Sequence, residues 1–331
     1  MTPAADTDDP AAMAASDPAR ARRELAADVR RDLRRDPKQL PAKHLYDALG
    51  LHLFEAICHL PWYKITRAEH ALLARFAPAI SASLRELAVI VELGCGSGTK
   101  LALLAEGLRG RDVTVRLVDV SATAIELTQR TLARLPNLAV VGHQESYGPG
   151  LRAAIAERPG RGSLLVLFLG SNIGNFHHAD AEAFLRDIRR ALHAGDALLL
   201  GADLVKPERE LLLAYDDPLG LTAAFDKNVL RRVNDELGAD FDLAAFEHRA
   251  VWNAAASRIE MHLVSRCAQE VRVPAAEIVV RFRAGESIWT ESSYKYTPEG
   301  LVTMAGAAGF HCLEQWIEPE ARCALMLFAV R

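Results

Sequence analysis

The sequence predicts an α/β protein built on a parallel, doubly wound sheet, and three observations carry that expectation. Short apolar runs recur between residues 88 and 203, each stopped by glycine or polar residues. Amphipathic helical stretches separate them. The chain has 331 residues, half of them hydrophobic and a quarter charged, so it can bury one large or two joined cores.

The elements are expected in this order. Residues 1–16 are mainly Ala, Asp, Pro and Ser, which predicts a disordered tail over 1–19. Leu25, Val29 and Leu33 recur every four residues, so 18–35 reads as a helix, ended by Pro37 and Pro41. The arginines around that stripe are interleaved with Glu24, Asp28 and Asp32, as on a solvated face. Residues 44–65 are rich in apolar and aromatic side chains. Thr66-x-x-Glu69 before Leu72, Leu73 and Phe76 reads as a capping box, with a helix from near Arg67.

Strands follow at 88–93, 113–120, 138–141, 164–170 and 196–203. Helices lie between them at 100–108, after an N-cap at Ser121, and over 180–193 with Gly195 as C-cap. Beyond residue 205 the alternation stops. Two helices flank the turn AYDDPLG within 206–236, and strands are expected at 258–265, 270–282, 286–296 and 324–330. The domain reading is a core of 68–205 and a second α+β unit of 20–67 plus 206–331 that closes over it.

Charge and composition narrow the function. With 39 basic and 43 acidic residues the net charge is −4, without the dense cationic footprint that nucleic acid needs. No apolar run approaches about 18 residues, so no membrane span is expected. Cys58, Cys95, Cys267, Cys312 and Cys323 contain no CxxC pair, which argues against a disulfide framework or a structural zinc site. His177-His178 is the only adjacent histidine pair and reads as surface, so no metal is expected. The start has no basic-then-apolar leader, and a cytoplasmic monomer acting on a small molecule is the simplest expectation.

The chemistry is concentrated in Val91-Glu92-Leu93-Gly94-Cys95-Gly96-Ser97-Gly98-Thr99-Lys100. A glycine turn before a helix lets a ligand touch bare backbone and free N–H groups. Thr99 stands where a phosphate loop and a dinucleotide fingerprint each require glycine, so both fail. The acid-x-GxGxG pattern that remains, with Glu92, Gly94, Gly96 and Gly98, is that of S-adenosylmethionine (SAM) binding. Asp119, 23 residues after Gly96, ends the second strand, where an acid can accept from both ribose hydroxyls. A Rossmann-like SAM-dependent methyltransferase core with a second, substrate-binding α+β domain is therefore expected. After the fourth strand stands Gly170-Ser171-Asn172-Ile173-Gly174-Asn175, without the aromatic that base methyltransferases stack on a nucleobase. Small polar groups at that edge suit a compact polar substrate.

At this level of detail the chain resembles the histidine-specific SAM-dependent methyltransferases, which trimethylate the α-amino group of L-histidine to hercynine in ergothioneine biosynthesis. The resemblance covers about 35–331. It rests on LYDALGLHLFEAICHLPWY, TRAE, VELGCGSGTK, FLGSNIGNF, GADLVK, AYDDPLGLTAAFDKNVL, ELGADFD, RIEMHL and AGESIWTESSYKY. It implies an amino-acid pocket lined by Tyr46, Tyr63, Asn175 and Tyr215. Tyr46 and Tyr63 would orient the amine for catalysis, and Asn175 and Tyr215 would hold the carboxylate. Glu291 and Ser293 match the pair that reads the imidazole, and Met261 matches a pocket wall. Gly94, Gly96, Lys100 and Asp119 match the SAM site. The family usually has an Asp near adenine where this chain reads Gly142-His143-Gln144-Glu145, so Gln144, or else Glu145, is expected to replace it. Lys64-Ile65 replaces a common Tyr-Pro at the pocket edge. Retention of Glu291 and Met261 favours histidine over tryptophan derivatives, and a SAM-binding regulator without turnover is the other alternative.

Overall fold

A computed structural model describes residues 18–330, apart from 85, 157, 159 and 160. The tail expected over 1–19 lies almost wholly outside the described residues. Seven strands form the large sheet, in the spatial order 310–318, 323–330, 197–203, 163–168, 87–93, 113–119, 138–144. The five strands between Leu87 and Asp203 run parallel. The last two are antiparallel additions. Parallel strands covered on both faces must be apolar on both faces. Val89, Val91 and Leu93 pack towards the helices His178–Ala191 and Pro298–Ala307, whereas Ile90 packs towards Ile65–Ser83 and Thr99–Glu106.

The chain leaves the central strand Leu87–Leu93 in one direction for 113–119 and 138–144, then returns to its other side for 163–168. That reversal opens a crevice at the carboxyl ends of 87–93 and 163–168. The glycine turn and the 170–175 loop both emerge there.

A second, mainly antiparallel sheet has the order 38–39, 287–294, 258–265, 246–253. Its short strand Lys38–Gln39 pairs parallel with Ile288 and Trp289, which brings the N-terminal segment onto the C-terminal half. Asp47 ties the same regions together. Its Oδ1 caps the helix Ala48–Cys58 through Gly50 N and accepts from Asn228 Nδ2, both at 2.7 Å. Leu25, Val29, Phe225, Val229, Ile259 and Met261 share one core beneath this sheet.

Several expectations change. Residues 310–330 add two strands to the large sheet, so the segment 206–331 divides between the two layers. Residues 270–282 form the hairpin Gln269–Val273 and Ile278–Phe282 rather than one strand. Leu192, not Gly195, caps the helix His178–Ala191; Gly195 serves the following turn with φ +89°. The capping box also fails. The helix begins at Ile65 with Lys64 as its cap, and Glu69 is fully buried. Among the described residues no helix is long and apolar enough to cross a membrane.

Candidate active site

The glycine turn begins where the central strand ends. Gly98, at φ +73°, is the N-cap of Thr99–Glu106, and a Cβ there would lie 2.7 Å from Thr128 Cγ2 and 2.9 Å from its Cα. Only glycine tolerates both the dihedral and the neighbour. A Cβ on Gly96 would meet nothing within 4 Å, so the turn presents an open flank. At the tip of the next strand Asp119 Oδ1 accepts from Ser121 N at 2.9 Å. Burial raises its carboxyl above the ordinary range, against the backbone N–H groups that favour the anion. Gln144 is the strand partner of Asp119 and donates to Val120 O at 3.2 Å. Glu145 instead makes an ion pair with Arg20 at 3.5 Å.

Glu92 lies under the turn, 2 % exposed, and its Oε2 has no hydrogen-bond partner among the described residues. An orphaned acid, an open glycine flank and a helix N-terminus fit a ligand that brings its own cation and donors, as SAM does. Burial pushes the Glu92 carboxyl up to about 8; Lys100 opposes this, while Asp119 and Glu69 add to it. The folded state therefore holds this proton between the ordinary carboxylate range and about pH 8, where the unfolded chain has lost it. The stability associated with the neutral group is complete at acid pH and fades as pH rises towards 8. Glu92→Gln removes that titration. Its melting temperature, compared with that of the parent, is expected to improve steadily from pH 5 to pH 8; a pH-independent difference would refute the assignment.

The 170–175 loop lies between the glycine turn and a neighbouring cavity. Glu69 accepts from Gly170 N with both carboxylate oxygens at 2.9 Å and pairs with Lys100 Nζ at 2.6 Å. Burial works against the Lys100 charge, but Glu69 more than offsets it and keeps the ammonium above its ordinary pKa. The same loop touches the glycine turn: a Cβ on Gly94 would lie 2.6 Å from Asn172 Nδ2.

A cavity partly open to solvent adjoins this loop. Tyr46, Tyr63, Asn175, Tyr215, Met261, Glu291 and Ser293 all line it, so every residue expected at the amino-acid pocket comes to one place. They come from the first 63 residues, the 170–175 loop, the helix Glu208–Tyr215 and two strands of the second sheet. Phe54 and Phe225 also line it and were not anticipated. Their rings lie 6.0 Å apart, each 5.4–5.7 Å from Tyr46, while Tyr63 meets Phe54 and Tyr215 edge-on.

Polar groups interrupt this aromatic wall. Tyr46 Oη donates to Glu291 Oε1 at 3.5 Å. Burial raises the Glu291 carboxyl to about 8, with a further push from Asp226 and opposition from Lys295 and Tyr46. Burial also lifts the Tyr46 and Tyr63 phenols well above their ordinary pKa, so both keep their protons. Tyr215 Oη and Ser293 Oγ are 2.8 Å apart, and Lys295 Nζ, which sequence reasoning missed, lies 2.8 Å from each.

A doubly wound sheet with a glycine turn after its central strand, an acid at the next strand's tip and an aromatic cavity at the same crevice defines a SAM-dependent methyltransferase. The chain belongs to the histidine-specific, SAM-dependent methyltransferase family, whose model matches residues 25–330. It is 42 % identical over 314 residues to the histidine N-alpha-methyltransferase of Mycolicibacterium smegmatis, covering 93 % of this chain and 95 % of that one. Ergothioneine biosynthesis protein 1 of Neurospora crassa is 31 % identical over 85 % of this chain, which spans 32 % of that protein. The L-tryptophan methyltransferase of Psilocybe serbica is more distant, at 26 % over 87 % of each chain.

Proposed function

We propose that this enzyme methylates the α-amino group of L-histidine three times, giving hercynine for ergothioneine biosynthesis. The reading rests on one observation above all: an acid, neutral hydroxyls and aromatic faces line a single cavity beside the glycine turn.

SAM supplies a methyl group carried on a sulfonium. The chain's residues then have three tasks. Glu92, the 94–98 turn, Lys100, Asp119 and Gln144 hold the donor. Asn175 and the Tyr215 hydroxyl grip the substrate carboxylate; neutral donors do so without repelling the sulfonium. Glu291 and Ser293 take the imidazole, with Met261 as the apolar wall behind it. Tyr46, bonded to Glu291, belongs to this imidazole end and orients the acid. Tyr63 faces the amine, and its neutral hydroxyl can accept from an N–H without acting as a tyrosinate base. Methyl transfer is an in-line displacement: the neutral amine's lone pair forms the C–N bond as the C–S bond breaks, and S-adenosylhomocysteine leaves. The methylated ammonium gives its proton to water at the open side of the cavity before the next transfer. Holding amine and sulfonium in line can contribute ~7–11 kcal/mol. The rings of Tyr46, Phe54, Tyr63, Tyr215 and Phe225 offer π faces that favour a quaternary ammonium, which suits retention through successive transfers.

Incubation with SAM and each common amino acid, followed by mass spectrometry, tests the reading. Histidine is expected to gain up to three methyl groups while the others gain none. Transfer to tryptophan but not histidine would replace the substrate. SAM binding without transfer to any amino acid would leave a regulator.

A further inference from the structure

The second sheet ends in a buried cation that the reaction as outlined does not use. Lys295 follows the strand Ser287–Tyr294, and its side chain is 0 % exposed. Its ammonium has three protons and three partners: Tyr215 Oη at 2.8 Å, Ser293 Oγ at 2.8 Å and Asp203 Oδ2 at 3.1 Å. The other oxygen of Asp203 accepts from Lys206 Nζ at 2.6 Å. Asp203 and Lys206 are buried as well. Two ammonium groups against one carboxylate leave this cluster with one excess positive charge.

The hydrogen-bond inventory is restrictive. An ammonium only donates, so both hydroxyl oxygens must accept from Lys295. The contact between Tyr215 and Ser293 consumes one of their two hydroxyl protons. One hydroxyl proton remains, and both residues face the cavity. The pair is thus fixed as a single donor towards an acceptor in the pocket, backed by a cation that shares its counter-anion Asp203 with Lys206.

We propose that Lys295 is a positioning residue that makes the pocket select substrates with a free carboxylate. It locks the Tyr215 hydroxyl as the single donor towards that carboxylate, while Ser293 donates to Tyr215 and keeps a lone pair for the imidazole. This rests on the amino-acid reading above and adds to it the reason why an amine without the carboxylate is a poor ligand.

The test compares Lys295→Met with the parent, using histidine and its decarboxylated analogue histamine. The KM for histidine is expected to rise at least tenfold, with kcat changed less than about threefold and affinity for S-adenosylhomocysteine unchanged. Inhibition by histamine, which lacks the carboxylate, is expected to stay within twofold. Lys295→Met is also expected to add less than twofold to the defect of Tyr215→Phe, because the lysine acts through that hydroxyl. Equal losses for histidine and histamine, additive defects with Tyr215→Phe, or an equal loss of S-adenosylhomocysteine binding would each overturn the proposal. If Lys295→Met fails to fold, Lys295→Gln carries the same comparison, with a smaller rise in histidine KM expected and selective loss still required. Failure of the histidine reading itself is distinct: the parent enzyme would then not methylate histidine at all.

Discussion

Replacing Glu291 by alanine is expected to lower kcat/KM for histidine by roughly 100-fold while SAM affinity moves by less than threefold. A buried polar group left without its hydrogen-bond partner costs about 1–3 kcal/mol, and a site built around that bond loses discrimination with it. Glu291 is 8 % exposed and set among the rings that line the cavity, so water can restore little of that bond. SAM is expected on the far side of the 170–175 loop, beside residues that Glu291 does not touch. Stability should move the other way. Burial holds the carboxyl neutral up to about pH 8, whereas an unfolded glutamate ionises near its ordinary value. Ionisation therefore favours the unfolded chain increasingly from about pH 4.5 to pH 8. Glu291→Gln should accordingly melt no lower than the parent at pH 8, with its relative advantage shrinking as pH falls. Steady-state kinetics, calorimetric SAM titration and thermal melts at several pH values check these outcomes. Comparable losses of histidine and SAM binding would mean that Glu291 supports the fold rather than the substrate.

The legible parts of this molecule are those whose chemistry demands a contiguous stretch. The turn 94–98 needs glycine because Thr128 crowds Gly98 and a ligand needs the open side of Gly96, so it shows in five residues. The parallel strands show because both faces are covered. Other elements hide for physical reasons. The helix Tyr147–Ala156 opens with Gly148, Pro149 and Gly150, which break helical periodicity; a Cβ on Gly150 would come 2.2 Å from Val118. The edge strand Phe310–Glu318 shifts register between Cys312 and Glu314, which scrambles its period of two. In the strand Phe246–Asn253 an inward position is taken by His248, bonded to Asp226 and to Tyr215 O, so the apolar alternation is lost. Site residues hide likewise. Phe54 and Phe225 sit at helical spacings that read as core. Lys295 reads as an exposed strand-end cation because its partners Asp203 and Tyr215 are remote in sequence.

Glu69 is the sharpest instance, and its removal has the largest expected effect on stability. As part of Thr66-x-x-Glu69 it looks like a surface capping acid, worth about 1 kcal/mol. Its carboxylate is instead 0 % exposed and holds the Gly170 N–H and the Lys100 ammonium. Glu69→Ala would leave a largely buried cation without its anion and a backbone donor without its acceptor. Breaking a buried pair from one side typically costs ~3–5 kcal/mol. For a chain of this length that corresponds to a melting temperature lower by roughly 6–10 °C, at about 2 °C per kcal/mol. The functional loss should extend to both ligands, because Lys100 borders the glycine turn and Gly170 lines the substrate cavity. Gly201→Ala is an independent probe of the same joint, since its Cβ would fall 1.8 Å from Glu69 Oε1 and displace the carboxylate. Both variants should therefore weaken SAM and histidine binding together, unlike Glu291→Ala, which should spare SAM. A Glu69→Ala protein that melts within 2 °C of the parent and binds both ligands normally would return Glu69 to the role of a helix cap.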